Sequence, residues 1–231
     1  MTADDVINQL EKLADENERV KYETSLNFNT DNKMLGVAMG KIFALAKDNS
    51  NLPNEEILKL IKSDIHEARM AGVSIMDFQA RRKKTPETQR EWLYETYLDL
   101  HEYINDWGLV DRSVQHVVGG YLYDFNKPRH VLYELAKSKT WFERRSAIVA
   151  TLFFIRQGDV DDTFKIAKQL IGDDEDLVNK ALGGVLREAG KRDQDRLIDF
   201  LNTNYKSMKT VTIRYATEKL SETEKKKYRT R

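Results

Sequence analysis

Four cations recur along this chain at nearly equal steps, each entering an apolar helical run: Arg112-Ser-Val, Arg145-Ser-Ala, Lys180-Ala-Leu and Arg214-Tyr-Ala. The steps are 33, 35 and 34 residues (145−112, 180−145 and 214−180). Between them stand chain breakers, Asn126-Lys-Pro128, Gln157-Gly158-Asp159 and Gly190-Lys-Arg-Asp193. Each period therefore has room for a helix, a turn and a second helix. A period of about 34 residues built from helix pairs marks an α-solenoid, in which each pair buries its apolar face against its neighbours. Three prolines and eleven glycines in 231 residues are few breakers, and β-branched alternation is scarce. These facts imply an all-α fold.

Upstream of the periodic region, Thr2 can cap a first helix whose apolar stripe is Val6, Leu10 and Leu13, with Asp4 and Asp5 in its first turn. The segment from Tyr22 to Asn32 is rich in turn-formers and reads as a loop, after which Asp31 caps a helix from Met34 to Lys47. Pro53 opens a helix, Ser63-Asp-Ile-His-Glu starts the next, and the basic run Arg81-Arg-Lys-Lys84 closes it at its negative dipole end. That run is either a solvated turn or a phosphate contact. Thr85-Pro86 begins a long helix reaching Ile104, and the charged stretch after Glu222 reads as a frayed, solvated end. The whole is expected to be one helical-repeat domain over 1–231: an N-terminal helix and loop (1–33), repeats (34–220) and a charged tail (221–231).

Composition removes whole classes of chemistry. No cysteine is present, which excludes disulfides, thiolate nucleophiles and cysteine-ligated zinc. His66, His101, His116 and His130 lack metal-ligand spacing, and neither a phosphate-binding glycine loop nor a Gly-x-Ser-x-Gly elbow occurs. No metal and no cofactor is expected. Lys plus Arg equals Asp plus Glu at 38 each, so any basic patch must be local. No long uncharged apolar run suggests a membrane span, and the N-terminus opens acidic and polar. A cytoplasmic monomer without membrane contact is the expectation.

Two stretches concentrate the remaining chemistry. Asn105-Asp-Trp-Gly-Leu-Val-Asp111 places Trp107 and Asp111 four residues apart, on one face of a helix. Trp141-Phe-Glu-Arg-Arg145 adds a second tryptophan with Arg144 and Arg145. A carboxylate, aromatic faces and cations suit a cationic, phosphate-bearing substrate. A strong alternative reading makes both tryptophans core anchors, Asp111 an ion-pair partner and the arginines a solvated face. The periodic cations Arg112, Lys180 and Arg214, with Arg144, either contact DNA phosphates along a stripe or satisfy carboxylates between repeats.

In order and spacing, the chain from about Met34 to Tyr215 resembles the DNA alkylation repair proteins built from HEAT-like repeats, the AlkD-like DNA glycosylases. The matching stretches are Leu35-Gly-Val through Lys47, Ser74-Ile-Met-Asp77, Asn105 through Asp111, Trp141 through Ile148, Ile155-Arg-Gln-Gly through Phe164, and Lys180-Ala-Leu-Gly-Gly through Gly190. The resemblance implies a C-shaped superhelical array whose concave groove holds duplex DNA. The substrate it implies is an alkylated purine such as N3-methyladenine or N7-methylguanine, released by hydrolysis of its N-glycosidic bond. By motif match Asp111 stabilises the oxocarbenium ion and orients water, Trp107 faces the cationic base, and Arg145 holds the adjacent phosphate. The implied setting is base excision repair in a bacterial cytoplasm, the protein joining the nucleoid when on DNA.

The sequence departs from that pattern twice. Gly184 stands where active members carry a second tryptophan, and the turn-rich Tyr22–Asn32 stands where they carry a basic helix. A non-catalytic DNA-binding paralogue and a protein-binding repeat scaffold are the alternative readings.

Overall fold

The computed structural model describes residues 1–26 and 33–229. Among these residues no strand forms, and one isolated bridge joins Lys33 to Ile65. No described helix is long and apolar enough to cross a membrane. The all-α expectation is borne out. The chain divides into two compact units, Met1–Ser113 and Val114–Arg231.

The first unit holds α1 (Ala3–Lys12), α2 (Glu16–Leu26), α3 (Met39–Asp48), α4 (Asn54–Ile61), α5 (His66–Arg81), α6 (Glu87–Asp99) and α7 (Trp107–Val114). Thr2 caps α1 as its sequence implies. Its hydroxyl accepts from Asp5 N at 3.2 Å, and the Asp5 carboxylate accepts from Thr2 N at 2.8 Å, a reciprocal capping box. Val6 and Leu10 are buried.

The expected loop from Tyr22 is corrected by α2, which continues to Leu26; the rest of that segment, Asp31 included, lies outside the described residues. Apolar periodicity does fail in α2, but local polar contacts replace it. Asp15 Oδ1 accepts from Asn17 N and Glu18 N, and Arg19–Glu16 and Lys21–Glu18 pair one turn apart at 2.5 Å each.

A second correction concerns the helix expected from Met34, which starts only at Met39. The backbone before it is committed elsewhere. The N–H groups of Leu35, Gly36 and Val37 all donate to the Glu67 carboxylate, at 3.0, 2.8 and 3.3 Å. Gly36 has φ +79°, and a Cβ there would meet Asp15 O at 2.3 Å, so this anion-binding nest requires glycine. Likewise the long helix expected to reach Ile104 stops at Asp99, and a 3₁₀ turn at His101–Tyr103 lets Leu100 and Ile104 both reach the core.

Helix α5 packs against α3, α4, α1 and α6, and nearly every residue of it is buried. Its polar groups must therefore find partners inside the unit. Glu67 takes the nest described above. Asp77, with no solvent exposure, accepts from Arg112 at 2.5 Å and Arg81 at 3.4 Å.

The second unit begins with a π-helical turn, Gln115–Gly120, followed by α8 (Tyr121–Asp124) and α9 (His130–Leu135). Then come α10 (Trp141–Ala150), α11 (Leu152–Arg156), α12 (Asp161–Gln169), α13 (Asp176–Gly190), α14 (Gln194–Asn204), α15 (Thr210–Ala216) and α16 (Glu222–Arg229). The periodic residues Arg145, Lys180 and Arg214 fall in α10, α13 and α15, with α11, α12 and α14 as the intervening helices. Asn126 at φ 49° and Gly158 at φ 86° fall between helices, and Gly190 is the last residue of α13.

Side-chain contacts repeat with the same step. Arg129 reaches Asp162 at a separation of 33, Arg196 reaches Asp161 at 35, and Thr212 reaches Asn179 at 33. Each helix pair thus satisfies the polar groups of its neighbour, as stacked repeats do. The tail also departs from the frayed end expected of it. Ser221 caps α16 through Glu224, and Tyr228 is buried with its hydroxyl 2.9 Å from Asn202 Oδ1.

Truncating Glu67 to Ala strands three backbone donors, each of them buried or partly so. It should cost about 3 kcal/mol, read as a lower urea midpoint, whereas Glu67→Gln retains one acceptor oxygen and should lose about half as much.

Candidate functional site

The start of α7 is fixed from below. Asp106 Oδ1 accepts from Gly108 N at 2.6 Å and Leu109 N at 3.1 Å, capping the helix, while Asp106 Oδ2 lies 3.3 Å from Nδ1 of buried His66 at the start of α5. Leu109, Val110 and Ser113 point into the unit, and the Ser113 hydroxyl donates to Leu109 O at 2.8 Å. With those positions inward, the opposite face carries Trp107 and Asp111 outward together. Asp111 is exposed, and Trp107 is 39% exposed, one of three large apolar side chains so exposed among the described residues; the others are Met1 and Val20. The core-anchor alternative for Trp107 is therefore not what the structure holds.

Arg112, the next residue, turns the other way. Its guanidinium sits between Phe43 and Phe78, 4.7 and 4.8 Å from their ring centres, donates to Ser74 Oγ at 3.0 Å and pairs with buried Asp77. The cation entering this helix thus serves a neighbouring repeat's carboxylate.

In the second unit Trp141 opens α10, half-buried, with its ring edge-on to Phe142 at 5.7 Å. Arg144 forms a two-point ion pair with Asp173, at 2.6 and 2.9 Å, and donates to the Ser138 and Lys139 carbonyls at 3.0 Å each. The bond to Asp173 holds the Arg144 guanidinium above its ordinary range. Burial pushes the Asp173 carboxyl up, but Arg144 and the Glu175 N–H outweigh it and leave Asp173 below the usual carboxylate value. Arg145 is 6% exposed and donates to the Leu177 carbonyl. Lys180, half-exposed, pairs with Asp176 on its own helix at 2.7 Å. Arg214 is exposed, its guanidinium 5.2 Å from the ring centre of Tyr215.

The four periodic cations thus occupy graded environments, and only Lys180 and Arg214 keep substantial access to solvent. Gly184, one turn beyond Lys180, has no atom within 4 Å of where a Cβ would stand, whereas a Cβ on its neighbour Gly183 would meet Thr212 O at 2.6 Å. Among the described residues no group of three or more His, Asp or Glu side chains could hold a metal ion. The Asp106–His66 support was missed in the sequence, although Asp106 stands where a helix cap belongs, directly before Trp107.

A sequence model of DNA alkylation repair enzymes matches residues 6–220. The chain belongs to that family. A predicted DNA alkylation repair enzyme from Enterococcus faecalis has a similar structure, with TM-score 0.70, 14% identity and coverage of 90% of this chain and 97% of its own. AlkD2 from Streptococcus mutans aligns with TM-score 0.55 at 16% identity, covering 88% and 97%. The protein smu.31 from Streptococcus mutans UA159 aligns with TM-score 0.54 at 16% identity, covering 95% and 99%. These identities carry the fold. No curated protein matches the chain.

The Arg144–Asp173 pair sets one acid limb of stability for this family member. Because the folded-state value of Asp173 is depressed, its contribution is present above the unfolded value of about 4 and is lost as pH falls through the lower folded value. Thermal melts from pH 6 to pH 2 should show this limb in the wild type, and Asp173→Asn should start less stable at pH 6 and fall less below pH 4.

Proposed function

We propose that the chain is a DNA N-glycosylase acting on cationic alkylpurines such as N3-methyladenine and N7-methylguanine in duplex DNA. The observation that carries this reading is the outward pairing of an exposed tryptophan and an exposed carboxylate on one face of α7. An alkylated purine already bears positive charge, so the bond from C1′ to the base nitrogen breaks with its electron pair going to a base that departs neutral, without a general acid. Positive charge then grows on the deoxyribose. Asp111 stabilises that oxocarbenium ion and accepts a proton from the water that adds to C1′. Trp107 presents its π face to the cationic base. Trp141 adds a second aromatic surface for the substrate, and Lys180 and Arg214 contact phosphates. Arg112 and Arg144, whose guanidiniums are committed to Asp77 and Asp173, support the scaffold that carries these groups.

A second reading, a DNA-binding family member without excision activity, is favoured by Arg145. Its guanidinium is buried on the Leu177 carbonyl rather than presented for a phosphate.

Release of methylated purines from methylated duplex DNA at low salt separates the two readings. Under the glycosylase reading Asp111→Asn loses at least about a hundredfold in rate with duplex affinity intact. Equal rates for wild type and Asp111→Asn, or no release from either, would sink it.

The vacancy beside Gly184 supplies a gain-of-function test. Gly184→Trp should raise excision about three- to thirtyfold, the effect of one cation–π wall of about 0.5–2 kcal/mol, without lowering the melting temperature. The readout is single-turnover release, compared with Gly184→Ala.

A further inference from the structure

The basic run after α5 is not absorbed by the α7 site, and its surroundings are specific. Arg81 pairs with Asp77. Among the described residues no carboxylate pairs with Arg82, Lys83 or Lys84, all of which are exposed. Arg82 is nonetheless held in place, because Nη1 donates to Asn51 Oδ1 at 2.6 Å and Nη2 donates to Ser50 Oγ. Neutral acceptors position a guanidinium without cancelling its charge, which an ion pair with a carboxylate would do.

Beside it lies an open pocket of about 380 Å³, lined among others by Asn51, Asn54, Gln79, Arg82, Lys84 and Gln89. Its wall is a ladder of amides. Gln89 Nε2 donates to Asn54 Oδ1 at 2.8 Å and Gln79 Oε1 at 2.9 Å, while Gln79 Nε2 donates to the Ser50 and Leu52 carbonyls. Two helix N-termini border the same space, since Asn54 opens α4 and Pro86 precedes α6. Both helices have proline at the N-cap and neither N-terminus is capped by a side chain, so their first-turn N–H groups lack that competitor. Glu55 and Glu87 stand in these first turns but do not line the pocket.

We infer that this pocket of the first unit binds a phosphate group with its attached sugar, Arg82 and Lys84 supplying the charge for the phosphate and the oxygens of the amide ladder accepting from the sugar hydroxyl. A fixed cation, a second mobile one and two uncapped helix starts suit an oxyanion, and the volume fits one nucleotide unit. That phosphate comes either from a free nucleotide or from a nucleic-acid strand. The site is independent of excision, because it needs neither a lesion nor Asp111.

The test is titration calorimetry of the full chain at low salt with inorganic phosphate, 5′-dAMP and an undamaged DNA duplex. Wild type, Arg82→Gln, Lys84→Glu and, as a control in the second unit, Lys168→Gln are compared. Both pocket variants should weaken binding about tenfold at unchanged melting temperature, and the control should not. Among the described residues Lys84 makes no hydrogen bond or ion pair, so its variant separates ligand loss from misfolding. Weakening confined to the duplex assigns the phosphate to a nucleic-acid strand, and weakening of 5′-dAMP as well assigns it to a free nucleotide. Absence of binding to all three probes, or equal affinities in wild type and both variants, overturns the site.

Discussion

A helix with almost no solvent-facing stripe must settle its charges internally, and α5 sets the terms for the first unit. Burying a carboxylate without partners is costly enough that the surrounding chain adapts to it instead. Glu67 draws the backbone of Leu35, Gly36 and Val37 out of helical geometry, which delays α3 until Met39. Asp77 draws in Arg112, which turns one face of α7 toward the core. The outward direction of Trp107 and Asp111 is the complement of that inward pull. The exposed site and the buried charge are two sides of the same helix.

The repeat pattern was legible because it is a property of chain length between contacts. Hydrogen bonds spaced by 33 and 35 residues are what a stack of helix pairs produces, and the step from Arg112 to Arg145 to Lys180 to Arg214 shows it in one dimension. Capping by Thr2 was legible because its partner is three residues away. The nest at Gly36 was not, since its acceptor lies about thirty residues downstream and the local residues alone favour a helix. The same limit applies to α2, whose polar one-turn pairs carry no apolar rhythm, and to α16, whose one buried aromatic is hidden among charges.

Within the candidate site, spacing announced the shared face of Trp107 and Asp111 but not the fate of the cations. Arg112, Arg145, Lys180 and Arg214 look equivalent in sequence, yet the first two are tied to protein acceptors and the last two reach solvent. Equivalence of position in a repeat fixes where a side chain starts from. What it meets depends on the neighbouring repeat, and that repeat's sequence varies. Asp106 illustrates the converse, since its role as a cap is local but its approach to His66 joins two helices that sequence keeps forty residues apart (106−66).

Two adjacent glycines in α13 differ in what they leave open to later change. Gly183 lies against the backbone of Thr212, so any side chain there must displace a neighbouring helix, and natural variation at that position is filtered by folding. Gly184 faces empty space. A side chain added at that position meets no neighbouring atom, so packing does not select against it. A lineage can acquire or discard an aromatic there by single substitutions, without a compensating change elsewhere. Sequence divergence among related chains can therefore proceed at such a position while the scaffold stays the same.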